Sequence, residues 1–256
     1  MLYNVYFSAR GTTKACADCV AENMKQETVS LNWLHPADRK PLELSQTDVL
    51  LLSMPVYAGV IPYFCAELTE FLRGNGTPAI VCAVYGNRHY DHALLQMRDL
   101  LSERGFCVVA AGAFVAEHSI FPMAAAGRPD ARDREAMAAF AETCRSQLEQ
   151  AADEGILSLP GDPAYDPAVF KRAGFQPAPD DTCIDCGLCA GICPVRAINP
   201  GNVRCWDSDR CLSCGACIEV CPTGARNYRG EAYIQAQDGF VQRCAAYRKP
   251  EVFYMK

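Results

Sequence analysis

Eight of the sixteen cysteines in this 256-residue chain stand in two copies of one pattern. The first copy reads CIDCGLCAGICP and ends at Pro194, and the second reads CLSCGACIEVCP and ends at Pro222. Both follow C-x2-C-x2-C-x3-C-P, and two such copies do not arise by chance. Thiolates at this spacing are typical ligands of iron–sulfur clusters.

The spacing also predicts how the cysteines divide between two clusters. Three cysteines of one copy can surround a corner of a cubane cluster, whereas the fourth lies on the next helical turn, points the other way and ligates the other cluster. The predicted ligands are Cys183, Cys186, Cys189 and Cys221 for the first cluster, and Cys211, Cys214, Cys217 and Cys193 for the second. Gly187 and Gly215 give each loop backbone freedom and amides that can donate to sulfur.

Residues 181–228 resemble the bacterial two-cluster ferredoxins through these motifs. The resemblance implies two [4Fe–4S] clusters in a small α+β domain. A structural zinc site is the alternative, but zinc sites use pairs of C-x2-C, and the third cysteine and the C-P ending do not fit them. The segment 195–210 departs from the family pattern, and we expect a small hairpin there with Trp206 at its turn.

A second chemical signal lies at the first strand-to-helix turn, which reads YFSARGTTK. Hydroxyl groups and a glycine follow an apolar strand there, and a helix then begins. Exposed amides at a helix start form a cradle for an anion such as phosphate. The candidate phosphate-loop residues are Ser8, Arg10, Gly11, Thr12 and Thr13. Simple helix capping is the alternative function of such a cluster.

Two more loops, MPVYAGVIPYF and YGNRHYDHAL, follow later strands of the same region. Both fall at carboxyl ends of predicted parallel strands, where open α/β sheets bind ligands. Each contains a tyrosine that can stack on a flat ring, although packing is the alternative role of such aromatics. The candidate ring-binding residues are Pro55, Tyr57 and Gly59 in one loop, and Gly86, Asn87, Tyr90 and Asp91 in the other.

One phosphate loop and two aromatic loops in this order resemble flavodoxin over residues 1–155. Flavodoxins bind FMN with three such loops, so the resemblance implies FMN as a cofactor. The family phosphate loop often reads T/S-x-T-G-x-T, and here Arg10 replaces a threonine. This change removes one hydroxyl group and adds a cation beside the expected phosphate.

The elements that position these loops follow from the apolar pattern. Runs such as VLLLSM and AIVCAVY are apolar on both faces, as buried parallel strands require. We expect strands at residues 2–7, 28–33, 48–54, 78–85 and 106–115, and helices at 13–26, 62–72, 93–103 and 129–154. They predict a flavodoxin-like α/β domain with a doubly wound five-stranded parallel sheet. A Pro-rich linker at 156–180, a ferredoxin domain at 181–228 and a tail at 229–256 that packs on the domains complete the expected organisation.

Composition narrows the class of function. The chain is 50% hydrophobic with a formal net charge of −6, which favours a folded protein and argues against nucleic acid as a partner. No apolar run is long enough for a membrane span, and the start lacks signal-peptide features, so we expect a cytoplasmic location. Most of the eight other cysteines are expected to be core residues, including the C-x-x-C pair Cys16 and Cys19.

Taken together, the two regions resemble the fused flavodoxin–ferredoxin proteins of anaerobic bacteria and archaea. The resemblance implies an electron-transfer flavoprotein of anaerobic metabolism, which exchanges electrons with a redox protein partner or a small-molecule acceptor. One alternative is a reductase that acts directly on a small molecule at the flavin, and another is a redox or iron sensor. The long connection around His118 is a candidate lid or docking surface. The sequence is also compatible with an oligomer.

Overall fold

A computed structural model describes residues 1–149, 155–168 and 174–255 of the chain. The N-terminal region alternates strands with helices. In chain order its elements are β1 (Leu2–Tyr6), α1 (Thr12–Asn23), β2 (Thr28–Asn32), β3 (Leu42–Leu44), β4 (Val49–Pro55), α2 (Tyr63–Leu68), β5 (Leu72–Gly74), β6 (Thr77–Tyr85), α3 (Ala93–Ser102), β7 (Phe106–Val115) and α4 (Ala131–Glu149). The C-terminal region contains β8 (Ala178–Pro179), α5 (Leu188–Ile192), α6 (Ala216–Glu219), β9 (Arg226–Asn227), α7 (Glu231–Arg243) and β10 (Glu251–Tyr254).

Five parallel strands form the main sheet in the order β2-β1-β4-β6-β7. This is the order of a flavodoxin-like doubly wound fold, so the predicted fold class is confirmed. A sixth strand, β10, pairs antiparallel with β7 through partners such as Phe253 and Ala111. The sequence analysis did not predict this strand.

The central strands of the sheet are buried on both faces, and their successive residues point to opposite sides. Leu50 and Leu52 of β4 pack with α2 and α3 on one face. Leu51 packs with α1 and α4 on the other. Cys16 and Cys19 of α1 belong to this second core, as expected of small apolar residues.

Several boundaries differ from the predicted ones. The second predicted helix ends early, at Leu68, because a short 3₁₀ turn and then β5 follow it. The last helix of this region begins at Ala131, and residues 150–154 of the prediction lie outside the described residues. Trp206 is not at the turn of its hairpin but on the returning arm, where it pairs with Ile198. The turn instead uses the segment 199–202, in which Asn202 donates to the Asn199 carbonyl.

The two regions share one hydrophobic core. Leu212, Cys214 and Ala216 of the cysteine-rich region pack into the same cluster as Leu52 and Met54 of the sheet. The start of the predicted linker also packs on the sheet domain, since Leu157 is buried in this cluster and its carbonyl accepts a hydrogen bond from Arg98. Its end packs on the cysteine-rich region, where the Pro177 carbonyl accepts a hydrogen bond from Arg226. No helix of the described residues is long and apolar enough to cross a membrane.

Candidate functional site

The cysteines of the two motifs line two separate cavities, four to each. One cavity is lined by Cys183, Cys186, Cys189 and Cys221. The other is lined by Cys193, Cys211, Cys214 and Cys217. In each cavity the fourth cysteine of one motif joins three cysteines of the other, which is the exchange that the spacing predicts.

Local backbone geometry holds these thiols in place. Gly187 and Gly215 precede α5 and α6 with φ of +80° and +81°, a conformation that other residues rarely adopt. Backbone amides also donate to three of the sulfur atoms. Ala197 N lies 3.2 Å from Cys193 Sγ, Ser213 N lies 3.4 Å from Cys211 Sγ, and Arg226 N lies 3.4 Å from Cys221 Sγ. Such bonds orient the ligands of a cluster and tune its potential.

The donor set fits iron–sulfur clusters. Within the described residues, no group of three or more His, Cys, Asp or Glu side chains could hold a single metal ion. The four cysteines of each set line a cavity instead, which suits a cluster with its metals at separate corners. Burial raises the pKa of Cys214 to about 12, and a metal centre binds such a thiol in its deprotonated form.

A third cavity, called the strand-end cavity here, lies at the carboxyl ends of the parallel strands. Its lining comes from the loops after β1, β4, β6 and β7 and from the cysteine-rich region. Of the predicted cofactor residues, it contains Arg10, Thr12, Thr13, Pro55, Tyr57 and Gly86. Its volume of about 120 Å³ is below the usual range for ligand pockets, so a whole flavin requires the lining segments to open further.

The predicted phosphate loop forms the start of α1. Gly11 precedes the helix with φ +81°, and the Ser8 hydroxyl accepts a hydrogen bond from the Lys14 amide at 3.0 Å. The amides of Thr12 and Thr13 are in the first helical turn and therefore have no intrahelical acceptor. These features fit an anion site, although Ser8 and Gly11 do not line the cavity themselves.

The second loop makes a tight turn from Tyr57 to Val60. Ala58 and Gly59 both have positive φ, at +53° and +91°, as the turn geometry requires. A side chain at Gly59 would collide with the Asp91 carboxylate, so the second and third loops touch here. Burial raises the pKa of the Tyr57 hydroxyl well above its usual value, although its interaction with Ser119 opposes this rise.

The third loop is arranged differently from the prediction. Asn87 does not line the strand-end cavity, and its Nδ2 donates to the Cys244 and Ala246 carbonyls. Tyr90 is only 1% exposed, and its hydroxyl lies 2.9 Å from Glu251 Oε2. Both residues therefore hold the C-terminal segment, and of the predicted ring-binding residues in this loop only Gly86 lines the cavity.

Two parts of the lining were not predicted as flavin-site residues by the sequence analysis. The segment 117–120 covers one side of the cavity, and the His118 ring lies directly against Gly86. Leu212 and Cys214 close another side. The long connection after β7 indicated that the segment 117–120 could be functional. No local pattern placed Leu212 and Cys214 at this cavity, because their position depends on how the two regions pack.

Arg10 joins the phosphate loop to the cysteine-rich region. Its Nε lies 2.8 Å from Glu219 Oε1 on α6, and its Nη1 donates to the Ser119 carbonyl at 2.8 Å. A side chain at Gly215 would stand 2.8 Å from Arg10 Cδ, so glycine is needed there for this contact. The arginine that replaces a threonine of the flavodoxin pattern thus contacts the second motif.

Comparison with known proteins adds one family and several similar structures. Residues 182–225 match the 4Fe-4S dicluster domain family. No curated protein matches the chain. Among solved structures, a flavodoxin from the domain Archaea is 12% identical, with 58% of this chain and 99% of that chain covered and a TM-score of 0.43. Flavodoxin 1 from Bacillus cereus is 18% identical over 59% of this chain and 99% of that chain, with a TM-score of 0.44.

Proposed function

We propose that this chain, in which a domain of flavodoxin-like fold is followed by a 4Fe-4S dicluster domain, transfers electrons between FMN and two [4Fe–4S] clusters. The observation that carries the proposal is that two residues line both the strand-end cavity and a cysteine cavity. Leu212 and Cys214 line both the strand-end cavity and the cavity of the second cysteine set. Bound FMN would supply one- and two-electron chemistry, and each cluster would accept or donate one electron.

The residues of the strand-end cavity have separate tasks in this proposal. The amides and hydroxyls of Thr12 and Thr13 bind the phosphate at the positive end of α1. Pro55 and Tyr57 contact the ring from the second loop. Leu212 excludes water between the ring and the second cluster, and Cys214 holds that cluster at the cavity wall.

The same geometry suggests an order of transfer from the flavin to the second cluster and then to the first. The first cysteine set faces solvent, since Cys186 is exposed and the neighbouring Ile184 and Leu188 are 64% and 53% exposed. We therefore propose that an external redox partner meets the chain at the first cluster. Clusters of this kind suit an anaerobic cytoplasm, where thiols also remain reduced.

The alternative, a reductase that acts on a small molecule at the flavin, needs open space beside the ring. The segment 117–120 and Leu212 line the strand-end cavity, so a small-molecule substrate would have to enter past them. The arrangement favours transfer to the cluster over transfer to a freely diffusing substrate.

Rapid mixing under anaerobic conditions tests the proposal. With the flavin reduced and the clusters oxidised, we expect transfer to the second cluster at a rate that does not change on dilution, because both cofactors are on one chain. The Cys186→Ala variant should retain this fast phase, and the Cys211→Ala variant should lose it. A rate that falls in proportion to protein concentration would show transfer between molecules and contradict the proposal.

Iron analysis tests the number of clusters. We expect about eight irons per chain in the protein purified without oxygen, and about four in the Cys186→Ala variant, because that change removes one cluster ligand set. The Cys144→Ala variant is the control, since Cys144 is buried in the core between the sheet and α4. One or two metal ions per chain, with zinc present, would contradict the two-cluster proposal.

A further inference from the structure

Arg226 is a buried cation between the two cysteine sets. It is only 2% exposed, and it lines both the cavity of the first set and the cavity of the second. It directly follows the C-P-T-G-A end of the second motif, so its place is fixed by the same turn that positions Cys221. Its own amide donates to Cys221 Sγ.

The protein supplies only neutral contacts to this guanidinium. Nη1 donates to the Pro177 carbonyl at 2.9 Å, and Nη2 donates to the Val203 carbonyl. The Trp206 ring lies under the group at 5.6 Å. In the described part of the chain, Nε has no hydrogen-bond partner and no carboxylate pairs with Arg226.

A buried charge without a counter-ion is costly, and proteins avoid it by pairing the charge. Exposed arginines nearby do have carboxylate partners, as Arg204 with Asp185 and Arg229 with Asp180 show. The cysteine side chains of both sets line the cavities on either side of Arg226, so no described ionisable group other than these ligands is placed to balance its charge.

We propose that Arg226 is the shared counter-ion of the two clusters and raises the reduction potential of both. This inference rests on the proposed pair of clusters. Reduction of a cluster adds one electron and one negative charge, with no bond made or broken. A cation fixed beside both clusters in a water-poor interior stabilises the reduced form of each more than the oxidised form.

Redox titration of the loaded full-length chain, followed by electron paramagnetic resonance, tests the inference. In the Arg226→Met variant we expect the ratio of reduced to oxidised cluster at a fixed potential to fall at least tenfold for both clusters. This change corresponds to a midpoint that is more negative by about 59 mV. The Arg210→Met variant is the matched control. Arg210 precedes the ligand Cys211 but is exposed, so water and salt screen its charge and the ratio should change less than about threefold.

A lysine variant keeps the test decisive if the methionine variant does not bind clusters. Arg226→Lys retains the charge, so it should bind both clusters with ratios within about threefold of the wild type. A lysine variant that binds no clusters, or that shows the tenfold loss, would overturn the inference. So would a loaded Arg226→Met variant with unchanged midpoints. A wild-type chain without clusters would contradict the proposed function and this inference together, whereas unchanged midpoints contradict this inference alone.

Discussion

At the scale of single residues, Arg10 stands where the flavodoxin pattern often has threonine, and it gives the phosphate loop contacts with the cysteine-rich region. The ion pair between Arg10 and Glu219 is partly exposed, at 19% and 44% of the two side chains, and such pairs contribute little to stability. Its effect is positional, since the same side chain packs against Gly215 and reaches Ser119. Arg10 therefore aligns the phosphate loop, the segment 117–120 and α6.

His118 gives a prediction for pH dependence. Burial and the nearby Arg88 lower its pKa from 6.5 to about 4, and its Nδ1 accepts the amides of Ile120 and Phe121. The unfolded chain binds more protons than the folded chain between these two values. The free energy of unfolding should therefore be highest above pH 6.5 and fall by up to about 3 kcal/mol towards pH 4.

Denaturant titrations of wild type and variants between pH 4 and pH 7 check this. The His118→Asn variant keeps an acceptor but does not titrate, so its stability should depend less steeply on pH. Equal slopes for His118→Asn and wild type would show that other groups govern the acid sensitivity.

At the scale of elements, the start of α1 gives a prediction for cofactor choice. The first-turn amides of Thr12 and Thr13 point to the site where a phosphate would bind. Riboflavin lacks this phosphate. Each charge-assisted bond contributes about 1.5–3 kcal/mol, so riboflavin should bind at least ~100-fold more weakly than FMN.

Fluorescence titration of the flavin-free protein measures both affinities. Thr12→Ala removes one hydroxyl but keeps the amide, so it should weaken FMN binding and leave riboflavin binding nearly unchanged. Equal wild-type affinities for FMN and riboflavin would mean that the loop only caps the helix.

The elements also show what the sequence could and could not predict. Long apolar runs such as those of β4 and β6 are buried on both faces, and this pattern predicted the central strands. The edge strand β2 has no such run, since three of its five residues are exposed. β10 has only four residues, half of them exposed, so no pattern marks it. The roles of Asn87 and Tyr90 were missed for a related reason. Their partners lie more than 150 residues away, at positions 244–251, and local spacing carries no information about them.

At the scale of the whole molecule, the shared core predicts that the two regions unfold together. The chain has only two tryptophans, Trp33 in the sheet domain and Trp206 beside the cysteine cavities. Each single-tryptophan variant, Trp33→Phe or Trp206→Phe, reports on one region by fluorescence and on the whole fold by far-ultraviolet ellipticity. During unfolding in guanidinium, we expect both signals of each variant to change with the same rate constant. The reason is that Leu212 and Ala216 pack the cysteine-rich region into the core of the sheet domain.

Comparison within one variant removes the effect of the substitution on stability. If the Trp206 signal of Trp33→Phe changed well before the ellipticity of the same variant, the cysteine-rich region would unfold as a separate unit. The buried contacts of Leu212 would then contribute little to cooperativity.

The position of β10 near the end of the chain affects how the sheet forms during translation. β7 leaves the ribosome before either cysteine motif, yet its antiparallel neighbour follows both. At ordinary rates of translation the edge of β7 stays without this neighbour for on the order of ten seconds. During that time an open strand edge can pair with other nascent chains. Slow passage of the ribosome through residues 182–228 would lengthen this exposure.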